Sequence, residues 1–204
     1  MFKNALILWM MLGLTACSAL APRPDPSRYF TLAALARPEE ANMKEPPGGA
    51  EALLGIGPIK FPGYLDRPEL VTRSSPNRFE VAENDRWAEP LEENFVRVLS
   101  RNLAALMRTD RIATYPWPVD RRPARQVEIE VLRFEANSSH EAQLSARWTI
   151  IDGPNRKPLF SKVSEVAFVA REHSADGDVA ALSEALAELS REITKAAMAQ
   201  FAVP

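Results

Sequence analysis

The chain has 204 residues, a formal net charge of −2, one cysteine and two histidines. The near-neutral balance argues against a nucleic-acid surface, which needs a basic excess to displace counterions. The lone cysteine excludes an internal disulfide, so packing alone must hold what is long enough to be one domain with a sizeable core.

Residues 1–16 read as a secretory signal: Lys3 at the charged end, an apolar run over residues 5–14, then small side chains. An apolar run of about ten residues is too short for a bilayer, which needs about twenty. Leu14-Thr15-Ala16-Cys17 puts the cysteine directly after those small residues and resembles the bacterial lipobox. That resemblance implies cleavage before Cys17, a diacylglyceryl thioether on its sulfur and an acylated amino group, with palmitate among the chains. Several acyl chains exceed what stable anchoring requires. Removing Lys3 with the signal leaves the mature side chains at −3. Asp after the lipidated cysteine usually means inner-membrane retention in Gram-negative lipoproteins, so Ser18 points to the outer membrane.

Residues 17–28 form a lipidated, proline-rich tether: Pro22, Pro24 and Pro26 favour extended backbone. At about 3 Å per residue it reaches roughly 30 Å from the lipid surface. Residues 29–204 are expected to be a single domain. Tyr29-Phe30-Thr31-Leu32 is a first strand, and residues 37–52, with four prolines or glycines in a row, are a loop. Residues 53–61 are a second strand interrupted by Gly55, Gly57 and Pro58, a pattern of a bulge or an edge. Residues 69–73 and 79–83 are short strands around a turn at Ser74-Ser75-Pro76-Asn77. A helix should begin near residues 87–90, with Glu89, Glu92 and Glu93 at its positive end and an apolar stripe through Leu91, Phe95, Val98, Leu99, Asn102, Leu103 and Leu106. Residues 112–115 are a short strand.

Val127, Ile129 and Val131, then Leu144, Ala146, Trp148 and Ile150, alternate with polar residues, and a third strand follows over residues 159–169. These three should form an antiparallel meander. Asp176-Gly177-Asp178 offers a cap for a final helix whose stripe is Val179, Leu182, Leu186, Leu189, Ile193 and Ala197. The fold class is therefore α+β: an antiparallel sheet with two amphipathic helices packed on one face.

Chemistry is sparse. His140 and His173 sit at strand ends as solvated turn residues, with no nucleophile–base–orienter set around them. No cluster has metal-ligand spacing, and Gly55-x-Gly57 runs into Pro58 rather than a helix. Neither a catalytic role, a metal nor a cofactor is expected. Arg108, Arg111, Arg121, Arg122 and Arg125 read as a solvated helix end and loop, with anionic lipid or an acidic partner as the other reading. Trp148 reads as core, and Trp117, between two prolines, as an interface candidate.

Residues 64–73 read YLDRPELVTR and residues 86–91 read RWAEPL. With YFTL at residues 29–32, they make the mature chain similar to the PqiC/YmbA-type auxiliary lipoproteins of ABC-type transport systems. The resemblance implies an outer-membrane lipoprotein on the periplasmic face, without catalytic residues. It would work with an inner-membrane transport component and a periplasm-spanning MCE protein, moving lipids between membranes and preserving envelope integrity. Because MCE partners form rings, a matching homo-oligomeric ring is implied as well. A different lipoprotein class, one that plugs or chaperones a β-barrel, shares the anchor and an α+β build. Two readings stand for Tyr64, Leu65, Asp66, Arg67, Pro68, Trp87 and Glu89. Either they present a fixed surface to a partner, or Asp66 and Arg67 pair with Arg86 and Glu89 to pin the loop on the helix start, with Trp87 as packing anchor.

Overall fold

A computed structural model describes residues 25–36, 54–118 and 122–201. The signal, Cys17, Ser18 and most of the tether lie outside the described residues, as do the loop expected over residues 37–52, Leu53 and Arg121. The elements run β1 (Arg28–Phe30), β2 (Leu54–Lys60), a 3-10 turn (Gly63–Leu65), β3 (Glu69–Ser75), β4 (Arg78–Trp87), α1 (Leu91–Met107), β5 (Ile112–Thr114), β6 (Arg125–Asn137), β7 (Glu141–Asp152), β8 (Pro158–Val169) and α2 (Ala175–Phe201).

Among the described residues all eight strands belong to one sheet that forks at β6. On one side β6, β7 and β8 form the expected antiparallel meander, and β3 and β4 form the expected hairpin. The opposite edge of β6 is shared. Its N-terminal half pairs in parallel with β2, which carries β5; its C-terminal end pairs in parallel with β3, followed by β4 and β1. The fold is α+β, with parallel pairings added where β1, β2, β3 and β5 join. β2 therefore lies inside the sheet, and its glycines mark a bulge, with the register shifting between Ile56 and Ile59. Gly57 has φ +109°, a backbone that side chains beyond hydrogen resist.

A second bulge falls in β6 between Val131 and Arg133. It moves the buried face from Val127, Ile129 and Val131 to Phe134 and Ala136, keeping both halves against the helices. The partners of these residues, Ala142, Leu144, Ala146, Trp148 and Ile150 on β7, are all buried. Both helices cover this one face. Phe95 of α1 meets Phe61 and Phe134 edge-on at 5.1 and 5.3 Å, and α2 packs across β6, β7 and β8. The Trp148 indole donates to Ser164 Oγ at 2.8 Å, so the core tryptophan's polar handle is satisfied. Ser164 in turn donates to Glu192 on α2, which also holds Lys162 at 2.8 Å.

Helix starts follow local chemistry. α1 opens at Leu91, just past the expected residues 87–90, with Glu92 and Glu93 in its first turn as expected and Glu89 before it, because Trp87 completes β4 and Pro90 occupies the cap position. α2 is capped by Ser174, whose Oγ accepts from the Gly177 N–H at 3.1 Å. Asp178, expected as part of the cap, faces His140 instead.

Candidate functional site

The three motifs far apart in sequence, YFTL, LDRP and WAEPL, meet at the start of α1. Pro68 accepts from the Trp87 N–H at 2.7 Å, and Phe30 accepts from the Ala88 N–H at 2.8 Å. Asn94, fully buried, ties the helix to the chain leaving β1. Its Oδ1 accepts from the Leu32 N–H at 3.0 Å, while its Nδ2 donates to Thr31 Oγ1 and to Glu89 Oε1, each at 2.7 Å. Asn102 and Ser183 continue this clamp by accepting from the Leu35 and Ala33 N–H groups at 2.8 and 3.0 Å. An extended segment crossing two helices has no strand partner, so side chains must satisfy its backbone.

Between the LDRP turn and the WAEPL segment lies a groove of about 780 Å³. Leu65, Trp87 and Leu91 are buried in its floor beside the half-buried Phe61; Asp66, Arg67, Glu92 and Glu93 stand exposed on its rim. The expected pairing of Asp66 and Arg67 with Arg86 and Glu89 does not occur. Glu89 is taken by Asn94 and Arg97, while the loop is held through backbone and through Tyr64.

Tyr64 leaves the groove for the opposite sheet face. Its hydroxyl donates to Glu135 Oε2 at 2.7 Å, and its ring stacks on Phe79 with centroids 4.4 Å apart. Glu135, 1 % exposed, also accepts from Arg73 Nε at 2.7 Å, Arg133 Nε at 3.2 Å and the Phe134 N–H at 3.0 Å. Burial, reinforced by the adjacent carboxylate, pushes the Tyr64 phenol well above its ordinary value. The carboxylate thus couples the LDRP turn, the β3–β4 hairpin and β6. Nothing in sequence marks Glu135 or Arg73: each occupies the polar face of an alternating strand, and Glu135 meets Tyr64 and Arg73 from more than sixty residues away.

The two histidines, read as solvated turn residues, stack at 4.8 Å, and His140 Nδ1 lies 3.0 Å from Asp178 Oδ1. Burial raises the Asp178 pKa, with His140 offsetting part of the rise. Trp117 packs edge-on against Tyr115 in a cleft of about 320 Å³ that also holds Arg122 and Arg156. Arg125 pairs with Asp152 at 2.8 Å and Arg108 closes α1 in the left-handed conformation, so the basic set is dispersed into structural roles at these positions. Among the described residues no three His, Cys, Asp or Glu side chains are arranged to hold a metal, and no helix is long and apolar enough to cross a membrane.

No curated protein matches the chain. Among solved structures it is similar to protein XCC0632 from Xanthomonas campestris, at 17% identity over 85% of this chain and 97% of that one, with a TM-score of 0.69. A crystal structure described as an uncharacterized protein matches at 19% identity over 83% and 97% of the two chains, with a TM-score of 0.67. At such identities the likeness establishes the fold alone. A family model described as the ABC-type transport auxiliary lipoprotein component matches residues 30–194, from the end of β1 to the last turns of α2, and the chain belongs to that family.

Proposed function

We propose that this lipoprotein is anchored through Cys17 to the outer membrane, faces the periplasm, and serves an ABC-type system that moves lipids between membranes through a periplasm-spanning MCE protein. It acts by docking rather than by catalysis. The observation that carries this reading is the groove shared by LDRP and WAEPL, with YFTL tied to WAEPL through the Phe30 carbonyl and with Asp66 and Arg67 exposed and unengaged by the residues expected to pin them. The tether expected over residues 17–28 leads in sequence into β1, which suits a groove held between a membrane anchor and a periplasmic partner. A ring of copies matching an MCE ring belongs to the same proposal.

A photo-crosslinking residue in place of Asp66, in cells expressing the full protein, is expected to trap an MCE-type protein. Recovery of a β-barrel would favour assembly work instead, and recovery of no envelope transport partner would overturn the proposal. Deletion should sensitise cells to detergents. Cys17→Ala should abolish fatty-acid labelling and complementation, and Ser18→Asp should shift the protein to the inner membrane on fractionation.

A further inference from the structure

The groove beside the LDRP turn has a chemistry specific enough to define what it takes, given the reading that the protein docks a transport partner. Its lining carries four carboxylates, Asp66, Glu89, Glu92 and Glu93, against one guanidinium, Arg67: a net −3 in one groove of a chain whose total is −2. Arg97 and Asn94 already satisfy Glu89. Asp66, Glu92 and Glu93 are exposed and make no ion pair or side-chain hydrogen bond among the described residues. The helix dipole accounts for acids in the first turn of α1, but not for Asp66 on the facing wall. Nor does it account for an apolar floor of Leu65, Trp87 and Leu91 beneath the charges. We propose that the groove docks a short segment of the partner protein in which lysine or arginine side chains flank an aliphatic or aromatic anchor.

Each part of the groove selects for that occupant. A volume of about 780 Å³ matches a few side chains rather than a domain face. The apolar floor takes the anchor, and desolvating it strengthens the charge pairs around it. The acidic rim repels phosphate, which disfavours an anionic lipid headgroup. The chain's own residues 37–53 are a poor occupant as well: they carry Glu39, Glu40, Glu45 and Glu51 against Arg37 and Lys44. Walls of fixed geometry favour a preformed site, since Leu65 and Asp66 bond back into the 3-10 turn and Trp87 is tied to Pro68.

The test uses the full lipidated protein in non-ionic detergent and a fluorescein-labelled peptide alternating leucine pairs with lysine–arginine pairs. Two control peptides replace every base by glutamate or every leucine by serine. Fluorescence anisotropy is expected to show binding at least about tenfold tighter for the basic–apolar peptide than for either control, weakening with salt. The double variant Glu92→Lys/Glu93→Lys should lose about tenfold in affinity, with a melting temperature lower by only a few degrees from the reversed helix-dipole pairing; if its fold is impaired, Asp66→Lys on the opposite wall replaces it. Equal binding of the glutamate or serine peptide, or unchanged affinity in the folded variants, overturns the inference. So does a variant that loses self-association but not peptide binding, which would make the occupant a second copy. Complementation separates the two levels. If the charge variants complement while Cys17→Ala does not, the groove assignment fails and the accessory role stands. If deletion has no envelope phenotype, the accessory role itself fails.

Discussion

Replacing Asn94 by alanine tests whether the chain after β1 is held by side chains rather than by sheet pairing. The residue is fully buried, and its three hydrogen bonds reach Leu32, Thr31 and Glu89. Alanine leaves the Leu32 N–H, on a residue 3% exposed, without an acceptor, at a cost of about 1–3 kcal/mol. The other two losses are smaller, because Arg97 also donates to both Thr31 and Glu89 and Thr31 is exposed. Together they should reach about 2–4 kcal/mol. For a domain of this size that corresponds to a melting temperature lower by roughly 5–12 °C. Calorimetry of the signal-free protein measures the total, and hydrogen exchange at the Leu32 and Ala33 amides localises it. A melting temperature within about 1 °C of the parent, with Leu32 still protected, would refute the clamp.

Glu192 gives a pH test. Burial works to raise its pKa, but the Lys162 ammonium and the Ser164 hydroxyl together outweigh burial and hold it below the ordinary value of 4.5. A carboxyl depressed in the fold adds stability above its unfolded pKa and loses it as pH falls through the folded one. Wild type should therefore lose stability more steeply below about pH 4.5 than Glu192→Gln does, in urea titrations across pH 3–6. Parallel slopes would show that the depression carries no stability. Glu135→Leu removes a buried carboxylate and strands Arg73 and the Tyr64 hydroxyl, so a loss of about 3–5 kcal/mol is expected in urea unfolding; a neutral result would mean that water replaces it. Gly153→Ala places a methyl 1.7 Å from the Pro123 carbonyl oxygen, and the displaced backbone should cost about 1–3 kcal/mol in thermal melts.

Local pattern was enough to show the α+β class, both helix stripes and the β6–β8 meander. Alternation and 3.6-residue periodicity report which side of an element meets the core, and that information is written within ten or twenty residues. The reading of a signal and a lipidated Cys17 rests on the short lipobox pattern alone and falls outside the described residues. The WAEPL helix start was located to within a turn; its first residue was set by Trp87, which the sheet drew into β4 through the Pro68 carbonyl.

The site depended on contacts that no local pattern encodes. Glu135, Asn94 and the His140–Asp178 pair are polar residues whose roles come from partners 71, 62 and 38 positions away. On a strand or helix considered alone, each is an ordinary polar position facing water. The sequence already contained YFTL, LDRP and WAEPL as separate motifs. That LDRP and WAEPL line one groove, with YFTL tied to WAEPL through the Phe30 carbonyl, was settled only when the sheet forked at β6: parallel pairing sent β3, β4 and β1 to one end, and the LDRP turn and the helix start closed over the same apolar floor. Non-local pairing is chosen by the burial of the whole sheet against two helices, a global quantity that no short window of sequence contains.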